Sequence, residues 1–442
     1  MRRMPSAPRQ LGLLDATLLV MGGIVGVGIF YTPRLVAQHV PHPTAFLAMW
    51  AIGGLIALAG ALTFAELGAT FPKAGGWYVF LREAFGPFVA YLFAWVVLCV
   101  ISTGATSVMV RVLVQSVPGL PASAHLAVGA ATIALVTGLA MLGAKAGATL
   151  QNACMAIKLA AIAAMAGVGL LFAAPAPTPA APVPIPPGGL ALGMVRAVLP
   201  VLFACGGWQM LCYVAPQVRD PQRNLPRAIL FGVLGVVAVY LAVNAAYVHV
   251  LGIDGIASNP QFASETARLV LGDTGASVLR AAMAVSALGV CVVTVIVTPW
   301  LYVAMAKEGL FFTRFARLSP TTGAPIAALL AQMVIALAYW LWGRAELVVD
   351  AVVFVEWIFH ALVAIALLRL RRTRPELPRP FRSLLYPLAP VGYLVIATIV
   401  VFGNLWNAEV RTVGIGLGVV AVAALVYKPW RKLVERAGRG AA

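Results

Sequence analysis

The chain has 442 residues, of which 62% are hydrophobic and only 10% charged, with a mean hydropathy of +0.96. No water-soluble surface can be assembled from such a composition, so lipid is the expected solvent. The net charge of +17 would suggest nucleic acid as partner of a soluble protein; in a membrane protein it is read instead as the device that orients helices, and no nucleic acid is expected.

Apolar stretches long enough to cross a bilayer at about 20 residues each are predicted at 12–37, 44–69, 86–113, 124–142, 149–173, 190–215, 227–252, 273–306, 324–342, 347–369, 386–404 and 411–427. The fold class is therefore an all-α membrane protein with twelve transmembrane helices in a single domain (1–442), and both termini lie on one side. The first stretch follows MRRMPSAPRQ and begins like a signal peptide. Its apolar run is too long and no small-residue cleavage site follows, so it is expected to be retained. Of the 31 Lys and Arg residues, 23 fall on the side of the N-terminus, which makes both termini cytoplasmic and the location a cell inner (plasma) membrane. The densest basic segment, from Arg369 to Arg382, reads as a topology anchor.

The first stretch carries MGGIVGVGIF, with Gly22, Gly23, Gly26 and Gly28 in seven residues. Glycine inside a helix costs about 1 kcal/mol relative to alanine, so local unwinding is cheap here. Close helix packing through small-xxx-small spacing is the competing explanation. The sixth stretch carries a second cluster, FACGGW (Phe203 to Trp208), and the matching position favours unwinding, because glycine-interrupted spans at equivalent points of two halves mark a midplane transport site. Between the halves, the uncharged Pro-rich run from Ala173 to Gly189 reads as an extended external linker. Cys99, Cys154, Cys205, Cys212 and Cys291 all fall within predicted spans without paired spacing, so neither a disulfide nor a zinc site is expected. His39 and His42 read as ordinary loop residues; no metal and no cofactor is expected.

Three longer motifs carry a resemblance. IVGVGIF, FAELGATFPKAGGWYVFLREAFGP (Phe64 to Pro87) and FACGGWQMLCYVAPQVRDPQRNLPRAI (Phe203 to Ile229), with LPRPFRSLLYP (Leu377 to Pro387), resemble the first-helix, second-helix, sixth-helix and pre-eleventh-helix signatures of the amino acid-polyamine-organocation superfamily, in its L-amino acid transporter branch. That resemblance implies a LeuT-like fold of two inverted five-helix repeats (12–173 and 190–369) plus two helices (386–427), with helices 1 and 6 unwound at the midplane and alternating access. It implies an amino acid substrate whose carboxylate is held by backbone N–H groups of Gly26, Val27 and Gly28. The ammonium is then held by carbonyls of Ile24, Phe203, Ala204 and Gly206, and Phe203 is the aromatic gate; a lipid-facing or packing role is the alternative for that ring. The chemistry agrees, since a freed helix N-terminus suits an anion and helix C-terminal carbonyls suit an ammonium.

The chain also departs from that pattern. Val27 stands where many members have serine, so backbone donors alone would hold the carboxylate, and Cys205 stands where bulk is common, which bears on the fit of the substrate side chain. QSVPGLPASAH lacks the cysteine by which animal members join a heavy chain, so no disulfide-linked partner is expected.

Charges at membrane depth are costly, by about 2.5–3.5 kcal/mol on insertion scales, and mark function. Lys158 matches the fifth-helix lysine that takes the place of a sodium ion in sodium-independent relatives; proton coupling through it is the alternative to a fixed tether. Glu356 is a second gating or coupling candidate, weighed against a structural role. Glu66 and Glu83 are expected near Lys73 and Arg82 in a closing ion-pair network. Trp208 is expected to pack beneath the pocket and Trp77 to be structural. Without a polar ring a channel is disfavoured, and without a convergent nucleophile and base so is an enzyme. The expectation is therefore a sodium-independent secondary transporter of neutral L-α-amino acids, by exchange or facilitated movement, with proton symport as the alternative. Arginine and polyamines are disfavoured because the breaks carry no carboxylate.

Overall fold

A computed structural model describes residues 10–117, 119–174, 187–407 and 410–439. The basic residues Arg2, Arg3 and Arg9, and residues 175–186 of the Pro-rich linker, lie outside the described residues. Helix dominates throughout: α1 (Leu13–Ile24), α2 (Thr32–His39), α3 (Pro43–Thr70), α4 (Trp77–Phe85), α5 (Pro87–Val96), α6 (Ser102–Ser116), α7 (Ala122–Met141), α8 (Ala144–Phe172), α9 (Gly189–Cys205), α10 (Pro221–Ser258), α11 (Phe262–Val297), α12 (Pro299–Lys307), α13 (Ile326–Trp342), α14 (Ala345–Thr373), α15 (Leu388–Asn407) and α16 (Val410–Arg439). Among the described residues the only β pairing is an isolated parallel bridge between Leu11 and Val218.

Eight helical stretches among the described residues are long and apolar enough to cross a membrane, from Pro43–Thr70 to Val413–Ala437; three further apolar helices, Leu13–Ile24, Ile326–Trp342 and Leu388–Gly403, are shorter. Large apolar side chains such as Leu135, Leu171, Phe172 and Leu425 stand open on the outer surface, where lipid rather than water is the compatible solvent. Glycine sets the ends of two long helices. Gly252 inside α10 and Gly272 inside α11 adopt φ of 69° and 70°, so the straight parts stop and start close to the apolar limits read from sequence.

The interior is aromatic and small-residue rich. α10 packs along α3, α1 and α8, α8 lies on α11, and α14 lies against α15 and α16. Trp77 stacks on Phe93 at 5.0 Å and is fully buried, as its structural assignment requires.

The end of the bundle rich in Arg and Lys is laced with ion pairs; of those read from sequence Lys73–Glu83 is present, while Glu66 and Arg82 find other partners. Arg371 of α14 bonds both carboxylate oxygens of Glu66 on α3, at 2.8 and 2.5 Å, and the backbone N–H of Ser383 donates to the same group at 2.7 Å. Arg379 lies 3.6 Å away. Glu83 of α4 is met instead by Arg374 at 2.8 Å and Lys73 at 3.5 Å, and Arg82 pairs with Glu308 at 2.5 Å. Burial works to raise the pKa of Glu83, but the Arg374 hydrogen bond and the nearby Lys73 outweigh it and hold the carboxyl below its ordinary value. Its contribution to stability is therefore present near neutral pH and is lost as pH falls through that lowered value.

Glu66 is all but inaccessible, and removing one partner of a buried pair costs about 3–5 kcal/mol because the other charge is stranded. Glu66→Ala is expected to lower the unfolding midpoint of the detergent-solubilised protein by several degrees. The exposed pair Arg268–Glu265 provides the control, since Glu265→Ala should leave the midpoint near that of the unaltered chain.

Candidate functional site

Two helices stop in the interior. α1 ends at Ile24; the Val25 N–H still reaches the Met21 carbonyl at 2.7 Å, and Gly26 turns its N–H onto the Ile24 carbonyl at 2.8 Å. Gly26 is extended (φ −98°, ψ −156°), and a single 3₁₀ turn, Val27–Phe30, follows before α2. Val27 and Gly28 thus open a new helical turn, where N–H groups have no carbonyl to bond within the turn. α9 ends at Cys205, the extended Gly206 does not return its N–H to the last turn, and a 3₁₀ segment, Trp208–Gln217, takes over.

The two interruptions touch backbone to backbone. Gly207 has φ of 126°, and a Cβ there would overlap the carbonyl of Gly23; a Cβ at Gly23 would lie 3.0 Å from the Gly207 carbonyl oxygen. Only glycine permits this approach at Gly207, by conformation and by space alike. The Gly207 N–H is met by the side chain of Gln209 at 3.1 Å.

A cavity of about 230 Å³ opens between the interruptions, lined by Ile24, Gly26, Val27 and Gly28 from the first and by Phe203, Ala204, Gly206 and Gln209 from the second. Seven of the eight residues assigned to substrate from sequence therefore share one space. Cys205 does not. It is buried with its sulfur 3.6 Å from where a Cβ of Gly53 on α3 would lie, because one helical step of about 100° turns it away from its neighbours Phe203 and Ala204. Phe203 is 63% exposed, so its ring does not cover the cavity in this conformation. Trp208 lies behind the site, with its ring centre 6.1 Å from that of His360.

Lys158 lies outside the cavity, fully buried on α8, and its ammonium donates to the carbonyl of Val25, one of the groups released where α1 ends. A lysine at this depth thus satisfies an orphaned carbonyl and ties α8 to the first interruption.

Tyr240 of α10 was not singled out from sequence. Its hydroxyl lies 3.2 Å from the Ile24 carbonyl oxygen and 3.1 Å from that of Ala204, bridging the ends of α1 and α9 with one shared proton. Of the carbonyls assigned to the ammonium, those of Ile24 and Ala204 thus already accept from Tyr240. A tyrosine within an apolar helix gives no sequence signal of this role; only the packing of α10 on α1 does.

The far wall comes from α14, with Glu356, Trp357 and His360, and apolar residues Ile101, Met109, Leu202, Met210 and Val290 complete the lining. The site therefore does hold a carboxylate, supplied by a helix remote in sequence from both interruptions. Among the described residues no group of His, Cys, Asp or Glu is arranged to hold a metal.

Residues 11–425 match the family model described as amino acid permease. The chain belongs to the amino acid permease family. It is similar to the serine/threonine exchanger SteT of Bacillus subtilis, at 27% identity over 436 residues covering 96% of this chain and 97% of that protein. It is 29% identical over 407 residues to the human b(0,+)-type amino acid transporter 1, covering 89% of this chain and 81% of the relative. With the human large neutral amino acids transporter small subunit 2 it shares 28% identity over 433 residues, 95% and 80% of the two chains. These relatives are transporters and exchangers, not enzymes, and this permease is a multi-pass membrane protein.

The contact between the interruptions gives a direct prediction. Gly207→Ala combines a disfavoured φ with overlap on Gly23, and strain of this kind costs about 1–3 kcal/mol. Its unfolding midpoint in detergent is expected to fall measurably, whereas Gly138→Ala inside α7, where nothing lies within 4 Å of the added carbon, should leave the midpoint at or above that of the unaltered chain.

Proposed function

We propose that this permease is a sodium-independent secondary transporter of L-α-amino acids, neutral ones foremost, working by alternating access through exchange or facilitated movement. The observation that carries the reading is the meeting of two helix interruptions on one cavity. N–H groups from Val27 and Gly28 suit a carboxylate, and carbonyls at the end of α9 suit an ammonium. The apolar wall of Val27, Ile101, Met109, Leu202, Met210 and Val290 suits an uncharged side chain.

Sodium independence rests on Lys158. A fixed ammonium on the Val25 carbonyl occupies the position at the interruption where a metal cation would otherwise find acceptors. The wider architecture belongs to the same proposal: twelve spans in an inner membrane, helices 1 and 6 unwound at the midplane, repeats over 12–173 and 190–369, two helices over 386–427, both termini cytoplasmic, and no disulfide-linked heavy chain. The positive-inside distribution supports this orientation. With the exposed Phe203 at the opposite mouth and ion pairs such as Lys145–Asp15 at 2.7 Å across the basic end, the conformation is read as outward-facing.

Reconstitution in liposomes tests the reading. Labelled amino acid uptake should be saturable, stimulated by unlabelled amino acid inside, and indifferent to replacing sodium by potassium. Lys158→Ala, which strands the Val25 carbonyl, should lower uptake more than tenfold. Uptake that needs an inward proton gradient would move the reading to proton symport, and absence of saturable uptake for every amino acid would remove it.

A further inference from the structure

Glu356 lines the cavity and, among the described residues, has no ion pair or hydrogen bond. An ionisable group at membrane depth is expensive without a partner and by default marks a functional site. Among the described residues no cation is paired with it. Lys158 is engaged by Val25, and Arg371 and Arg374 on its own helix are held by Glu66 and Glu83, with Arg371 fifteen positions away, roughly 22 Å along α14. The polar groups that share its cavity are His360, one turn on along α14, whose Nδ1 meets the Tyr393 hydroxyl, and Gln209, which is turned to the Gly207 N–H; the buried tyrosines Tyr213 and Tyr393 are also close enough to interact with the carboxylate. None of these supplies a fixed positive charge.

The same cavity is bounded at one wall by the interruptions and at another by Glu356 and Trp357. A molecule anchored by its α-carboxylate and α-ammonium at the interruptions extends its side chain toward α14. Trp357 adds an aromatic face beside the carboxylate, and the open Phe203 ring adds a second at the mouth; both favour a cation.

We propose that Glu356 is the recognition point for a cationic side chain, so that the substrates of this permease include dibasic L-α-amino acids whose ammonium or guanidinium group neutralises it. This rests on the transport reading above and reverses the exclusion of arginine drawn from sequence, where the interruptions alone carry no acidic residue.

The test uses full-length protein in liposomes held at pH 7.5 on both sides, with labelled L-lysine and labelled L-leucine measured in parallel. Unaltered protein is expected to take up lysine saturably, with L-arginine competing. In Glu356→Gln the ratio of lysine to leucine uptake should fall at least tenfold, and Glu356→Asp, which keeps the charge, should recover part of that ratio. Binding checks folding and contact together: L-lysine should raise the unfolding midpoint of solubilised unaltered protein and fail to do so in Glu356→Gln. Leucine uptake without lysine uptake in the unaltered protein overturns the proposal while leaving the transport reading intact. An unchanged ratio in Glu356→Gln, or parallel loss of both substrates, also overturns it. Failure to take up any amino acid overturns the transport reading itself.

Discussion

A bilayer leaves backbone N–H and C=O groups no solvent to bond to, so a chain that crosses it must either stay helical or satisfy every released group from within the protein. This permease breaks that rule twice at one place, and the surrounding structure is the means by which the breakage is tolerated. Gly23 and Gly207 bring the two interruptions into contact, Lys158 takes the Val25 carbonyl, Tyr240 spans the Ile24 and Ala204 carbonyls, and Gln209 returns to the Gly207 N–H. Val27, Gly28 and Phe203, at the start of the new turn and near the end of α9, line the cavity.

The two ends of the bundle complement this centre in opposite ways. At the basic end, buried and half-buried carboxylates are matched to arginines drawn from distant segments, binding α3 and α4 to α14 and the loop that follows it. At the other mouth, Phe203 is exposed and the cavity accessible. The pair between Asp15 on α1 and Lys145 on α8 ties the first interrupted helix to its neighbour.

Much of this was legible in the residues. Apolar runs located the helices, and the limits at 252 and 273 coincide with glycines of positive φ because glycine both ends apolar periodicity and permits the turn. The clusters at Gly22–Gly28 and Phe203–Trp208 named nearly the whole of two cavity walls. What could not be read depends on which faces of separate helices meet. Cys205 was assigned to the substrate from its place in a motif, and helical rotation carries it to α3. Glu66 was expected beside Lys73 and is claimed by Arg371, some three hundred positions on. Glu356 was singled out as an ionisable group at membrane depth, but its place on the cavity wall, like that of Tyr240 at the two helix ends, comes from tertiary packing.

The central claim is that released backbone dipoles at the two interruptions hold both charges of an α-amino acid. The direct measurement is competition at equilibrium by isothermal titration on the purified protein, comparing one transported L-amino acid with its decarboxylated amine and with its deaminated carboxylic acid. The account predicts that each analogue, lacking one charge, binds at least a hundredfold more weakly than the zwitterion. Comparable affinity of either analogue would contradict it.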